Sequence, residues 1–382
     1  MPQRAATGSA ARLAIALVAT VLLATVLLVA GLLATHRGGA AKAASVGPKL
    51  SRLAGSWAVG PAFPVEGSAG PPAVFSCGSA IFCVAMDQEG ASAWVYEAGR
   101  WKFDAHTSPA SGFGTITGLQ CFADQTCTAT DAEADLITYQ DGTWVAKRGP
   151  TANGGGPMGC ASTRLCLFVD GVGQSYTWDG KAFSKPKVAY PSLANTMGSG
   201  AGYIACASGS TFCAVADQLG YLGTYAGGRW GRLARPFGLL APLGAACVSP
   251  TECVAPFSPD SGRPGSGRPG NGPAGGDWAV WDGAHWNANA GGTHGFPDAD
   301  AQIGSTMSCA AGFCMGLDNQ HRSGLVGYAY NGRSWSVTGP FGNAAKPPSL
   351  LACANSRWCM ALYVSQGTSP NITWVLRAAA NS

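Results

Sequence analysis

The amino-acid sequence predicts an all-β fold, a seven-bladed β-propeller closed by an N-terminal strand and preceded by one transmembrane or signal helix. Three observations predict it. A pair of cysteines recurs seven times, an aromatic turn containing Gly recurs with it, and a fragment of the repeat stands alone before the first pair. Together they indicate one repeat domain.

The cysteine pairs define the repeat. The first pair opens the stretch Cys77-Gly-Ser-Ala-Ile-Phe-Cys83-Val-Ala-Met-Asp87, and all 14 cysteines of the chain belong to seven such pairs. The first cysteines of successive pairs are between 39 residues (Cys121 to Cys160) and 62 residues (Cys247 to Cys309) apart. This period is typical of four-stranded propeller blades.

The first unit shows the order of parts. Short apolar strands are predicted at 73–77 and 82–87, a third strand at 91–96, and a fourth at 100–103. The apolar strands do not alternate with polar residues, which is expected of strands buried on both faces. Gly-containing turns separate the strands, as at Glu97-Ala98-Gly99.

The last unit lacks its fourth strand, because the chain ends soon after the strand Asn371–Arg377. The fragment Ala54-Gly55-Ser56-Trp57 matches Ala98-Gly99-Arg100-Trp101 and supplies the missing part. We therefore predict that this N-terminal strand pairs with the C-terminal one and closes the ring, which removes exposed sheet edges.

The remaining segments follow from composition. We expect a cytoplasmic N-terminus at 1–12, a transmembrane helix or signal anchor at 13–34, a flexible tether at 35–52, the propeller at 53–378 and a tail at 379–382. The uncharged stretch at 13–34 would reach roughly 33 Å as a helix, enough to cross a bilayer. A Gly/Pro/Ser tract at 258–276 is predicted to be a disordered loop.

The hydrophobic segment and the cysteines together indicate a location. Paired cysteines beyond such a segment belong in an oxidising compartment. We expect the propeller outside the cytoplasm, attached to the cell membrane, or secreted if the chain is cleaved after Ala43.

Each cysteine pair is predicted to form a disulfide that bridges the hairpin of the first two strands. The alternative, zinc binding, would need two pairs to converge on one tetrahedral site, whereas separate blades keep them apart. The predicted bonds are Cys77–Cys83, Cys121–Cys127, Cys160–Cys166, Cys206–Cys213, Cys247–Cys253, Cys309–Cys314 and Cys353–Cys359.

Charge and motifs limit the function classes. Net charge is +4 without a Lys/Arg-rich run, which disfavours nucleic acid. No nucleophile, metal or nucleotide motif is present, so we predict no catalytic residue, no metal and no cofactor. A glycosidase stays open, since its two carboxylates need no fixed spacing.

Five aspartates end the second strands, namely Asp87, Asp131, Asp170, Asp217 and Asp318. They would either cap their own turns or form a ring of carboxylates. The recurring Trp and Tyr of the third and fourth strands, such as Trp94, Tyr96 and Trp101, are predicted to pack between blades, with sugar stacking as the alternative.

A ligand site is predicted on the face where the interblade connections and the second turns open. The residues are His294, Asp298 and Asp300 in the connection from blade five to blade six, and His321 and Arg322 in a turn of blade six. Asp104 and His106, between blades one and two, are a lesser candidate. Ordinary polarity of exposed loops is the alternative for all of them.

The unit S-C-x-S-x-x-F-C-x-A-x-D-x-x-G, followed by Y-x-G-x-x-W, resembles the repeat of secreted or anchored, cysteine-paired β-propeller proteins of actinobacteria, over about residues 54–377. Asp141-Gly142-Thr143-Trp144 also resembles the Asp-box turn of sialidase-type propellers, without its leading Ser-x-Asp. These resemblances imply the fold.

We expect a membrane-anchored binding or interaction module, a monomeric ring with a protein or glycan ligand of the cell envelope and no chemistry of its own. The alternative is a glycan-active hydrolase or lyase on the same scaffold.

Overall fold

The computed structural model describes residues 56–64, 70–90, 92–104, 114–150, 156–189, 201–238, 240–257, 278–289, 306–310, 312–318, 326–331, 335–338, 348–363 and 372–377. These residues form a β-propeller of repeated sheets and contain no helix. None of their elements is therefore a helix suited to crossing a bilayer. The segments predicted at 1–12, 13–34, 35–52, 258–276 and 379–382 lie outside the described residues.

Within the described residues the strands form seven four-stranded antiparallel sheets. We number them 1 to 7 by the position of their cysteine pairs. Sheet 1 is composed of β2 (Pro72–Ser79), β3 (Phe82–Asp87), β4 (Ala93–Glu97) and β5 (Arg100–Asp104). Sheet 2 is composed of β6 (Ile116–Cys121), β7 (Cys127–Asp131), β8 (Leu136–Gln140) and β9 (Thr143–Lys147). Sheet 3 is composed of β10 (Met158–Ser162), β11 (Leu165–Val169), β12 (Gln174–Trp178) and β13 (Lys187–Val188).

Sheets 4 to 6 repeat this order. Sheet 4 is composed of β14 (Ala201–Cys206), β15 (Phe212–Asp217), β16 (Leu222–Ala226) and β17 (Arg229–Trp230). Sheet 5 is composed of β18 (Ala246–Ser249), β19 (Glu252–Pro256), β20 (Trp278–Trp281) and β21 (Trp286–Asn289). Sheet 6 is composed of β22 (Met307–Ala310), β23 (Phe313–Asp318), β24 (Val326–Tyr330) and β25 (Trp335–Thr338).

Sheet 7 combines the two ends of the described chain. Its order is β1 (Ser56–Val59), β28 (Ile372–Arg377), β27 (Trp358–Tyr363) and β26 (Leu350–Asn355). The N-terminal strand pairs with the C-terminal one as predicted, with Trp57 opposite Leu376 and Val59 opposite Trp374.

The first strands of the sheets neighbour one another in chain order. β2 lies beside β6, β6 beside β10, and so on through β14, β18, β22 and β26, while β26 also lies beside β2. The sheets therefore follow each other around a common centre, with the fourth strands outermost.

The core lies between neighbouring sheets. Phe82 and Met86 of β3 are fully buried and belong to one cluster with Ala129 and Ile137 of sheet 2. Every residue of β3 and of β15 is buried. This burial explains why the second strands have no polar alternation in the sequence.

The predicted strand limits hold with small shifts. β4 begins at Ala93 instead of residue 91, because the Asp87 amide donates to the Ser92 carbonyl at 3.1 Å and makes Ser92 part of the turn. The predicted packing role of the aromatic residues is confirmed in this sheet, where Trp94 is 1% exposed, Tyr96 4% and Trp101 8%.

Candidate functional site

All seven cysteine pairs form disulfides with the predicted partners. In each sheet the two cysteines lie directly opposite each other on the first and second strands, as Cys77 and Cys83 do. No free cysteine remains. Among the described residues no group of three or more His, Cys, Asp or Glu side chains is placed to hold a metal ion.

The aspartates at the ends of the second strands cap their turns. Oδ1 of Asp131 accepts hydrogen bonds from the amides of Glu133 (3.1 Å) and Asp135 (2.8 Å). Oδ1 of Asp217 accepts from Leu219 (2.9 Å) and Tyr221 (2.8 Å). Three of the five predicted positions thus show the turn-capping arrangement, since Asp170 repeats it with Val172 and Gln174.

The second carboxylate oxygens differ between these aspartates. Oδ2 of Asp131 accepts from the Gly114 amide at 3.1 Å, whereas the buried Oδ2 of Asp217 has no hydrogen-bond partner. Burial raises the pKa of both carboxyls, and the turn amides oppose that rise. Asp87 is buried at the equivalent position of sheet 1, and the side chain of Asp318 lies outside the described residues.

The turns between third and fourth strands are of two kinds. Ala98-Gly99, Asp141-Gly142 and Gly227-Gly228 all have positive φ, from 47° to 90°, which is the geometry of a two-residue type I′ hairpin loop. The longer turns after Trp178 and Trp281 are capped instead. Oδ1 of Asp179 accepts from the Lys181 and Ala182 amides, both at 2.8 Å, and Asp282 does the same for Ala284 and His285.

These exposed caps lower the pKa of Asp179 and of Asp282, because the amides that point at the carboxylates favour their charged form. Asp141, where the sequence resembles an Asp-box, begins a turn of the first kind and itself lies in the left-handed region, with φ of 51°. The length of the turn is the reason. A four-residue turn has free backbone amides that donate hydrogen bonds to an Asp carboxylate, whereas a two-residue turn needs residues such as Asp-Gly that tolerate positive φ.

A contact between neighbouring sheets recurs at the residue before the second cysteine. This residue meets the aromatic side chain that opposes the second cysteine in the next sheet. Phe82 stacks on Tyr139, with 5.9 Å between ring centroids, and Phe212 stacks on Trp281 at the same distance. Trp358 lies 6.2 Å from Tyr96 in the same way.

Between sheets 5 and 6 the contact is polar, because Glu252 occupies this position. The Tyr330 hydroxyl donates to Oε1 of Glu252 at 2.9 Å. Burial, followed by the Glu252 charge, strongly raises the pKa of Tyr330. The phenol therefore stays protonated and keeps the hydrogen bond.

Between sheets 2 and 3 the same position holds Thr126, whose side chain is much smaller than Phe or Trp. A cleft of about 730 Å³ opens there, lined by Thr126 and by Trp178, the aromatic residue of sheet 3 at the equivalent position. Its size lies within the range of about 300–1,000 Å³ that is usual for small-ligand sites.

The walls of the cleft are polar. Thr126, Thr128, Thr138, Thr163 and Gln140 line it with hydroxyl and amide groups. Its charged lining residues are two acids, Asp124 and Asp179, and two bases, Arg164 and Lys181. The formal charge of the lining is therefore zero. Neither Arg164 nor Lys181 makes an ion pair within the described residues.

The cleft and Asp104, the one described residue of the predicted ligand site, lie at opposite ends of the sheets. The cleft is at the end of the first and third turns, whereas Asp104, at the end of β5, is at the other end of sheet 1 and opposes Ala93. The other predicted site residues, His106, His294, Asp298, Asp300, His321 and Arg322, lie outside the described residues. The predicted site stays a prediction.

Sequence reasoning missed the cleft. The signal was the residue before each second cysteine, which reads Phe, Thr, Leu, Phe, Glu, Phe and Trp along the seven units. A small polar residue at one position of an otherwise bulky series indicates a gap, once it is known that this position faces the next sheet.

Solved structures share the fold. The crystal structure of Raptor from Chaetomium thermophilum superposes with a TM-score of 0.58 and 11% identity, over 86% of this chain and 29% of the Raptor chain. A chain of the mitotic checkpoint complex superposes with a TM-score of 0.53 and 9% identity, over 84% of this chain and 90% of that one. The chain thus corresponds to less than a third of Raptor.

The sequence itself matches no family model and no curated protein. The likeness to the solved structures therefore concerns the fold, which is that of a β-propeller.

Proposed function

We propose that this chain is an extracytoplasmic binding module: a closed, seven-bladed propeller that holds a ligand of the cell envelope and carries out no reaction on it. The observation that carries the proposal is the cleft between sheets 2 and 3, a polar cavity of about 730 Å³ at a position that aromatic pairs occupy between sheets 1 and 2, 4 and 5, and 7 and 1.

Rigidity supports a binding role. The hairpins on both sides of the cleft carry disulfides, Cys121–Cys127 and Cys160–Cys166. Walls that are already ordered lose little conformational entropy when a ligand binds, so more of the contact energy becomes affinity. The propellers of Raptor and of the mitotic checkpoint complex are compatible with a module of this kind.

The turn that holds Asp179 favours binding over hydrolysis at this carboxyl. A glycosidase needs one carboxyl whose pKa is raised, so that it can protonate the leaving group. The pKa of Asp179 is lowered by its turn amides, so this carboxyl is ionised at neutral pH and cannot serve as that acid. A hydrolase or lyase remains the competing proposal.

We also propose that residues 13–34 hold the propeller at the membrane. The support is the uncharged length of this stretch and the seven disulfides, which need an oxidising compartment. N-terminal sequencing of the mature protein checks it. A chain that starts at Ala44 would show cleavage and secretion, whereas an intact N-terminus in the membrane fraction supports the anchor.

The function is tested by sedimenting isolated cell envelope from the producing cells with the purified chain from Ala44 onward, which keeps every described strand but lacks the hydrophobic stretch 13–34 that would itself bind membrane. We expect the protein to sediment with the envelope and to leave the envelope undegraded. Failure to sediment above a bovine serum albumin control contradicts the binding role. Release of soluble sugar fragments that grows with time would show an enzyme.

A further inference from the structure

We propose that the cleft between sheets 2 and 3 binds a neutral, hexose-based oligosaccharide. The inference rests on the proposed binding function and names the ligand class of the cleft. Three properties carry it: the balance of charge among the lining residues, the kind of hydrogen-bonding side chain on the walls, and the pairing of the wall strands on both sides.

Charge balance disfavours a strongly charged ligand. Asp124 of sheet 2 and Asp179, Arg164 and Lys181 of sheet 3 line the same cavity. A ligand of either sign would meet repulsion from two of these four groups as well as attraction. A neutral polar ligand is not repelled by any of these four groups, so the charge balance of the lining favours it.

The wall groups suit ligand hydroxyls. The Thr126 hydroxyl donates to Oδ1 of Asp124 at 2.6 Å, and the Thr138 hydroxyl donates to the Val145 carbonyl at 3.2 Å. Their protons are in use, so these oxygens offer lone pairs to a ligand donor. Arg164 and Lys181 offer only donors. A ligand group has to donate at one point and accept at another, which a sugar hydroxyl does.

The strands of the walls have partners on both sides at the cleft. β7 is paired with β6 and β8, and β8 with β7 and β9. On the other side, the Thr177 amide donates to Oγ of Ser184 and its carbonyl accepts from the Ser184 amide. An extended peptide therefore finds no sheet edge to extend, and recognition depends on side chains.

Trp178 gives the cleft an aromatic wall. Its side chain is 6% exposed, and the Lys147 ammonium lies 4.7 Å from its ring centroid while also donating to the Lys181 carbonyl. These contacts fix the ring, so it acts as an ordered wall beside the hydroxyl groups and not as a mobile platform.

The decisive variant introduces the side chain that three of the six other units have at this position. Thr126→Phe places at this interface the residue found at Phe82 and Phe212, and its ring should occupy the part of the cleft next to Trp178, as those two rings stack on the aromatic residue of the next sheet. The matched control is Thr115→Phe, which adds the same ring to an exposed position at the opposite end of sheet 2. Gln140→Ala removes one exposed amide from the wall without adding volume.

Binding is measured by titration calorimetry with cellohexaose, maltohexaose, mannohexaose and chitohexaose. We expect at least one to bind, Thr126→Phe to weaken it at least about tenfold, and Gln140→Ala about fivefold, since one neutral hydrogen bond is worth about 1 kcal/mol. Thr115→Phe should bind like the unmodified protein. High salt should change the affinity little.

Two results overturn the cleft inference: no binding of any of the four sugars, or equal binding by the unmodified protein and both cleft variants. If Thr126→Phe fails to fold, Gln140→Ala decides. The envelope sedimentation assay separates the two proposals. If Thr126→Phe sediments as the unmodified protein does, the chain binds envelope through a surface other than the cleft. If sedimentation is lost after the envelope has been treated with protease, the ligand is a protein.

Discussion

At the scale of single residues, buried polar groups decide much of the local stability. The amide of Cys121 donates to the hydroxyl of Ser76 at 2.9 Å, and the amide of Cys353 donates to Ser308 at the same distance. In both cases the serine precedes the first cysteine of its own sheet, and its hydroxyl accepts a hydrogen bond from the backbone amide of the first cysteine in the next sheet. These bonds link neighbouring sheets where the disulfides do not.

Ser76→Ala should lower the free energy of unfolding by about 1–3 kcal/mol, because it leaves the buried Cys121 amide without an acceptor. Chemical denaturation checks this value. Ser79→Ala is the control, since the Ser79 hydroxyl accepts only from the exposed Ile81 amide, and it should stay within about 0.5 kcal/mol of the unmodified protein. Equal effects of the two substitutions would contradict the role of Ser76.

Asp217 makes stability depend on pH. Burial raises the pKa of this carboxyl in the folded protein above its usual value of 3.8. The stability that the bound proton contributes is therefore greatest below pH 3.8 and is lost as pH rises through the folded-state pKa. Compared with Asp217→Asn, the unmodified protein should therefore gain melting temperature as pH falls from 7 to about 4.

Asp282→Asn is the opposite control. The pKa of Asp282 is lowered, so its contribution is present above the unfolded pKa and is lost as pH falls through the folded one. The advantage of the unmodified protein over Asp282→Asn should shrink at acid pH. Parallel pH profiles for the two variants would refute the assignment.

The sequence predicted local features better than features shared between sheets. Cys77–Cys83 and the caps at Asp131 and Asp217 depend on residues close in the chain, so spacing is sufficient to predict them. The bond from Cys121 to Ser76 and the gap at Thr126 depend on which residue faces the next sheet, and the repeat period does not give that register.

At the scale of elements, sheet 7 closes the ring, because it pairs the first described strand of the chain with the last. β1 supplies Trp57, which is 7% exposed and packs in one cluster with Phe313 and Leu351. Its indole N–H donates to Oγ1 of Thr338 at 3.4 Å, so β1 contacts sheet 6 as well as β28.

Removing residues 1–60 should destabilise the propeller much more than removing residues 1–52, because only the first truncation deletes β1. Losing the Trp57 side chain alone is worth about 3–5 kcal/mol. Thermal unfolding and size-exclusion chromatography provide the readout, with the shorter truncation as control. We expect the longer truncation also to self-associate through the exposed edge of β28. Equal stability of the two would show that β1 is dispensable.

At the scale of the whole molecule, the covalent bonds act sheet by sheet. Each disulfide joins cysteines 5 to 7 residues apart, and none connects two sheets. The entropy model gives about 2.4 kcal/mol for closing a loop of about seven residues. Cohesion around the ring depends on packing and on hydrogen bonds such as Cys121 to Ser76.

Replacing Cys77 and Cys83 together by Ala should lower the free energy of unfolding by about 2–4 kcal/mol, and Cys247 with Cys253 by a similar amount. Because these sheets are not neighbours, the two losses should add within about 0.5 kcal/mol. Denaturation of both double variants and the quadruple variant checks this. Strong non-additivity would mean that the disulfides support the ring as a unit.

The pairing of β1 with β28 has a consequence for biogenesis. During synthesis β1 emerges before every other described strand, and its partner emerges after all of them. The nascent chain therefore carries an unmatched strand for the entire time that the other sheets form. Each disulfide can form as soon as the two cysteines of its own hairpin have emerged, but the ring closes only when β28 is available to pair with β1.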